Sequence, residues 1–303
     1  MTLGQYLDSW LTTEVEPNQE PATFDSYERA VRNYIRPHIG AVLVAELAPF
    51  HIQAWLAGLK SKGARSRQNA FVVLQSAMTH AAELQVVKTN PCDTIKRPKA
   101  EREEIRPFTA LEAKAILNRI KGHRLAAVYF LALLHGPRQG EIFGLRWCDV
   151  DLAKSTIRIE QQVCEVAGRV YFRAPKTKAG KRFIHVDDRV TEALIERKAR
   201  MMKEGFAGVE LVFPNMDGNP MRRSNFGARH WSGLLKEIGL EHRGFHHTRH
   251  TAATLMLSDG VPVHEVSRIL GHARPSITLD IYSHWISQPD SAGTTAVSRA
   301  IFG

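Results

Sequence analysis

Residues 270–284 read LGHARPSITLDIYSH, the close of a soluble helix followed by a polar turn, with His272 ten residues before Tyr282. A tyrosine hydroxyl has an ordinary pKa near ~10, so at neutral pH it attacks poorly. It becomes a nucleophile only where its proton is accepted and the charge on its target is neutralised. Alone, Tyr282 reads as a packing residue with a wet hydroxyl. What the rest of the chain supplies decides between the two.

Upstream, GFHHTRHTAATLML (244–257) places His246, Arg249 and His250 at a helix start. His246 and Arg249 are one turn apart, and the free N–H groups of the helix end add to an anion site. Two histidines four apart also admit zinc. However, the HExxH pattern is absent after His264 and Glu265, and an arginine disfavours a cation. Further back, HGPRQGEIFGLRW (135–147) sets Arg138 and Glu141 three apart at a Gly/Pro turn. An arginine held there suits bidentate phosphate bonding, and a surface Arg–Glu pair is the plainer alternative. Between them, APKTKAGKRFIHV (174–186) is a basic hairpin with Lys176, Lys178, Lys181 and Arg182, which reads as a solvated loop or a phosphate contact.

The composition points the same way. Of 303 residues, 41 are Lys or Arg and 31 Asp or Glu, a net charge of +10, as expected for a polyanionic partner. Most of the excess lies beyond residue 100. Three cysteines, Cys92, Cys148 and Cys164, have no CxxC spacing, which indicates neither a disulfide framework nor a thiolate zinc site. The longest apolar run, LAAVYFLALL (125–134), is too short to span a bilayer and reads as a core helix.

The expected fold is mainly α with a small antiparallel β-sheet (α+β). Residues 1–97 carry four amphipathic stretches, including ATFDSYERAVRNYI, whose Arg29, Arg32 and Arg36 share one face, and PFHIQAWLAGLKSKG, with Gly63 as a stop. A fourth stretch begins beside Arg65 and Arg67. Together they predict a helical bundle. Residues 98–107, charged and bounded by prolines, read as a linker. Residues 108–303 hold helices near 109–121 and 124–134, then STIRIEQQV, RVYFRAP and KRFIHV, and helices again. Ile157 with Ile159, Val170 with Phe172, and Phe183 with His185 predict the inward faces of a half-buried sheet.

The ordered set Arg138, Lys176, His246-x-x-Arg249, His272, Tyr282 resembles the tyrosine recombinase (phage integrase) family, over nearly the whole chain. GPRQGE is similar to its first arginine box, HHTRH to its His-x-x-Arg box, PKTKAGKR to its lysine hairpin and LGHARPSITLDIYSH to its tyrosine segment. Pro137 and His247 depart from the usual residues beside these boxes. The resemblance implies Arg138 and Arg249 as phosphate-clamping arginines, Lys176 as general acid, and His246 with His272 as the other active-site side chains. It makes Tyr282 the nucleophile and Glu141 an orienting residue. It further implies a helical core-binding domain over 1–97 and a catalytic domain over 108–303, of the short type without an arm-binding domain.

The implied activity is cleavage and rejoining of duplex DNA through a 3′-phosphotyrosyl link, with neither ATP nor metal as cofactor. The expected partners are double-stranded attachment sites and three further copies in a tetrameric synapse. The free protein is expected to be a monomer or weak oligomer, off the membrane, in a bacterial host cytoplasm, with room for a directionality factor. DNA contacts are assigned to Arg29, Arg32, Arg36, Arg65, Arg67 and Lys178. The apolar cluster Ala296, Val297, Ala300, Ile301 and Phe302 is expected to dock on a neighbouring copy or on its own catalytic domain. A DNA-binding protein without catalysis, a topoisomerase of the same chemistry and a zinc hydrolase on His246 and His250 are the competing readings.

Overall fold

The computed structural model describes residues 1–101, 104–175 and 177–285. Lys176 and the apolar cluster from Ala296 to Phe302 lie outside the described residues. The chain divides into two compact units, Met1–Glu104 and Ile105–Gly303.

Four helical rods build the first unit. Leu3–Trp10 starts at Thr2, whose hydroxyl accepts the Gln5 N–H while the Gln5 side chain accepts that of Thr2. This reciprocal cap satisfies two otherwise unpaired donors. The rod continues through a wide π turn, Leu11–Val15, and the second rod runs from Pro21–Ala30 through another, Val31–Ile35. Each wide turn precedes a proline, Pro17 or Pro37. A proline ring clashes with the carbonyl four residues back, and opening the turn relieves the clash without ending the helix. Pro49–Gly58 and Ala64–Glu83 complete the set. Gly63 is the N-cap of the fourth helix rather than the stop of the third. Leu7, Trp10, Ile35, Ile52, Phe71 and Leu74 form the centre of this core.

On the surface of this unit, Arg29, Arg32 and Arg36 are exposed and pair with Asp25, Glu28 and Asp8. Their face therefore carries its own acids. Arg65 is exposed and donates to Gln68, whereas Arg67 is half-buried.

The second unit is organised around the apolar run. Ala126–Leu134 is a buried helix touching Ala110–Ile120, Asp188–Lys203 and His247–Ser258. The rings of Tyr129, Phe226, Trp231 and Phe245 pack edge-on or tilted at its side. No helix among the described residues is long and apolar enough to cross a membrane.

Among the described residues the strands form two sheets rather than the one expected. β1 (Val150–Asp151), β2 (Thr156–Ile159) and β5 (Arg182–His185) are antiparallel in the order β1-β2-β5. β3 (Gln162–Val166) and β4 (Arg169–Arg173) make a separate hairpin. The stretch STIRIEQQV breaks because β3 must cross the short helix Gln139–Phe143. A Cβ on Gly140 would stand 2.5 Å from the Val163 carbonyl oxygen, and the Gln161 amide bonds the Gly144 carbonyl at 2.9 Å.

β5 also faces the other way. Phe183 is 65% exposed and His185 is exposed, while Arg182 and Ile184 point inward. The apolar pattern misled because Arg182 is fully engaged inside, with the Glu141 carboxylate and the carbonyls of Ile269 and Gly180. Phe172 on β4 is likewise exposed.

The segment 270–284 is two helices and a tight link. Val263–Leu270 closes at Gly271, with φ +70°, and Pro275–Tyr282 follows with its proline in the first turn. Tyr282 therefore ends a helix instead of riding on a polar turn. Gly271 is required twice over, since a Cβ there would also lie 2.7 Å from Arg182 Nη1.

Candidate active site

Three short pieces of the second unit converge on one cavity of about 480 Å³, lined by Arg138, Glu141, His246, Arg249, Gly271 and His272. Arg138 enters at the N-terminus of Gln139–Phe143, where Glu141 accepts its backbone N–H at 2.8 Å and its Nη1 at 2.9 Å. One carboxylate thereby fixes both the turn and the guanidinium. Arg138 Nη2 also approaches the Gly271 carbonyl at 3.4 Å.

Arg249 comes from the first turn of His247–Ser258 and is 3% exposed. Its Nη1 donates to the Gly136 carbonyl at 2.8 Å, while its Nη2 is buried without a hydrogen-bond partner among the described residues. Burial, reinforced by Arg138, lowers its pKa to about 9. It remains charged at neutral pH, and a desolvated cation with an unspent donor strongly favours an anion.

His246 caps the same helix, and His272 follows Gly271, with its Nδ1 hydrogen-bonded to Thr278 Oγ1 at 2.8 Å. Burial first, then the charges of Arg249 and Arg138, lowers His246 to about 4 and His272 to about 3. Both rings are neutral at pH 7, chiefly through burial, and an anion placed on the two arginines removes the lesser part of the depression that comes from their charges.

Tyr282 does not line this cavity. It is 1% exposed and packed with Ala253, Leu257, Val266 and Leu270. Its hydroxyl meets His250 Nδ1 at 2.6 Å. Burial raises Tyr282 to about 12, partly offset by Arg249, and lowers His250 to about 3. The proton stays on the tyrosine, and both partners are neutral.

The structure thus brings Arg138, Glu141, His246, Arg249 and His272 together and sets Tyr282 beside them in the core. Lys178 is exposed in the connection from β4 to β5, and because those strands belong to different sheets the expected basic hairpin is a linking loop; Lys176 lies outside the described residues. Arg182 and His250 were not singled out as site residues by the sequence reading. The one looked like another hairpin cation and the other like a zinc candidate. Among the described residues no group of three His, Cys, Asp or Glu side chains is placed to hold a metal ion.

Comparison with known proteins bears on this arrangement. The phage integrase family matches residues 106–288, and the phage integrase N-terminal SAM-like domain matches residues 2–60. A XerC-like tyrosine recombinase of Caldanaerobacter subterraneus subsp. tengcongensis is 32% identical, covering 94% of this chain and 80% of its own. The Tn1549 transposon integrase in complex with a circular intermediate DNA superposes with a TM-score of 0.81 over 99% of both chains, at 20% identity. A lambda integrase tetramer bound to a Holliday junction gives 0.70, covering 91% of this chain and 79% of that one, also at 20% identity.

Proposed function

The chain belongs to the phage integrase family, and from that premise we propose that it is a site-specific DNA recombinase acting through Tyr282. The carrying observation is the cavity in which Arg138 and Arg249 converge with His246 and His272, leaving one buried arginine donor unspent. A phosphodiester of duplex DNA is the anion that this site takes.

In the proposed reaction the Tyr282 oxygen attacks the phosphorus, the bond to the 5′-oxygen breaks, and a 3′-phosphotyrosyl link remains. Arg138 and Arg249 stabilise the charge that builds on the nonbridging oxygens. Such donors act best when fixed beforehand in a site shielded from water. The tyrosine proton passes to His246, with His272 assisting, as the bound phosphate offsets the two arginines and lifts the part of the histidines' depression that those charges cause. Lys176 protonates the departing 5′-oxygen. The 5′-hydroxyl of a partner strand then reverses the step. Ester energy is conserved throughout, so the reaction needs neither nucleotide nor metal.

The unit Met1–Glu104 serves as the core-binding domain, and Arg29, Arg32, Arg36, Arg65, Arg67 and Lys178 contact the backbone of the DNA. For the three arginines of the second rod, DNA must compete with Asp25, Glu28 and Asp8. The lambda integrase tetramer supports a four-copy synapse, with the free chain a monomer or weak oligomer. The working compartment is the cytoplasm of a bacterial host, and a directionality factor acts as an added partner.

The test is strand exchange by the purified chain on a pool of duplexes, in EDTA and without nucleotide. Joint molecules carrying strands from two duplexes are expected. Their absence in EDTA and recovery with a divalent metal would overturn the metal-free mechanism.

A further inference from the structure

We propose that Arg182 is a positioning residue that neutralises Glu141 from the buried side, so that Arg138 keeps its charge for the anion in the cavity. The proposal rests on the reading of that cavity as a phosphate site.

Glu141 is 1% exposed and stands between two guanidiniums. Its Oε1 accepts Arg138 Nη1 at 2.9 Å and Arg182 Nη1 at 3.3 Å. Its Oε2 accepts the Arg138 backbone N–H at 2.8 Å and Arg182 Nη2 at 2.9 Å. The three side chains carry a net positive charge of one unit, and only Arg138 among the two arginines lines the cavity.

Arg182 is turned wholly inward. Its Nε donates to the Ile269 carbonyl at 2.7 Å and its Nη1 to that of Gly180 at 3.0 Å. It cannot bind a ligand from there, and it acts through Glu141. Without it, Glu141 would face Arg138 alone as a buried carboxylate. Attraction across a weakly polar interior would draw that guanidinium into a neutral pair and take it from the phosphate. Burial and Arg182 act in opposition on the carboxyl, and the arginines prevail, holding Glu141 below the usual carboxylate range.

The same bonds also tie β5 to the end of Val263–Leu270, so a simple clip is the rival explanation. Charge separates the two. Arg182→Gln should slow covalent adduct formation on nicked duplexes about a hundredfold, with duplex affinity within about threefold of the parent. Adding Glu141→Gln removes the unbalanced carboxylate and should recover about tenfold, a coupling that a mere clip would not give. Arg182→Lys, which retains the cation, should stay within about tenfold of the parent.

Should Arg182→Gln fail to fold, Glu141→Gln is compared with the double variant, because both lack the buried carboxylate. With that carboxylate already replaced, losing Arg182 should cost less than about threefold. An undiminished rate in Arg182→Gln, a double variant no faster than the single one, or a large loss on removing Arg182 from the Glu141→Gln background would each overturn the proposal.

Titration with inorganic phosphate by calorimetry keeps this apart from the recombinase reading. Weaker phosphate binding in Arg182→Gln, restored in the double variant, supports the charge balance even if no adduct forms. In that outcome the recombinase reading alone falls. Phosphate affinity equal in all variants counts against the role of Arg182, whatever the parent does to DNA.

Discussion

The arginine cavity and the tyrosine beside it are built by opposite rules. The cavity is lined by charged and imidazole side chains: Arg138 is fixed by Glu141, and Arg249 is buried with one donor unpaired among the described residues. Tyr282 is apolar-packed, closed and already satisfied, with its hydroxyl on a neutral His250. If the cavity takes the phosphate and Tyr282 attacks it, the difference teaches that the anion's site is organised in advance while the hydroxyl is kept protonated and covered. Part of the charge that depresses the histidines would then be offset only when DNA is bound.

The strongest way to break this comparison is to remove the nucleophile. Tyr282→Phe should abolish covalent adduct formation while leaving duplex affinity intact, as read by gel shift beside adduct capture. An adduct that persists would make the buried tyrosine only a core residue. Next is the clamp: Arg249→Ala should slow adduct formation by about 10² to 10³, equivalent to roughly 3–4 kcal/mol. A loss confined to DNA affinity, with normal cleavage at saturation, would show a binding contact rather than transition-state stabilisation.

The tyrosine's side of the comparison is sharpened by His250→Ala. A buried hydroxyl left without its partner costs about 1–3 kcal/mol, so the melting temperature should fall by several degrees. An unchanged melting curve would mean that the contact contributes nothing to holding Tyr282.

The remaining test reads pH dependence. His135 and His246 are depressed to about 4, and His250 and His272 to about 3, mainly by burial. The unfolded chain binds protons at these positions below about 6.5, whereas the folded one does not. Their contribution to stability is therefore intact above that pH and falls as the pH drops toward 4. Denaturant midpoints measured from pH 7 to 5 should decline, and imidazole resonances should stay neutral across that range. A flat profile would contradict the buried, neutral rings.

Much of this could be read from residue types alone. Arg138, His246, Arg249 and His272 stand up to 134 residues apart, yet each sits at a recognisable turn or helix start. The mainly helical fold followed from periodicity and from the buried run at 125–134. What was hidden depended on partners across the fold. Phe183 looked inward and Arg182 outward until Glu141 and the Ile269 carbonyl reversed the strand. The contact between His250 and Tyr282 joins two helices 32 positions apart, and no local pattern encodes it. The break between β2 and β3 likewise comes from Gly140, twenty-three residues upstream of the backbone that crosses it.

The most direct test of the account is to locate the DNA on the protein. The purified chain is trapped on a pool of nicked duplexes, digested, and the nucleotide-bearing peptide sequenced by mass spectrometry. A 3′-phosphotyrosyl linkage is expected on the peptide containing Tyr282, and it should be missing from the Tyr282→Phe variant. A linkage on another residue, or no covalent linkage on any duplex in the pool, would contradict it.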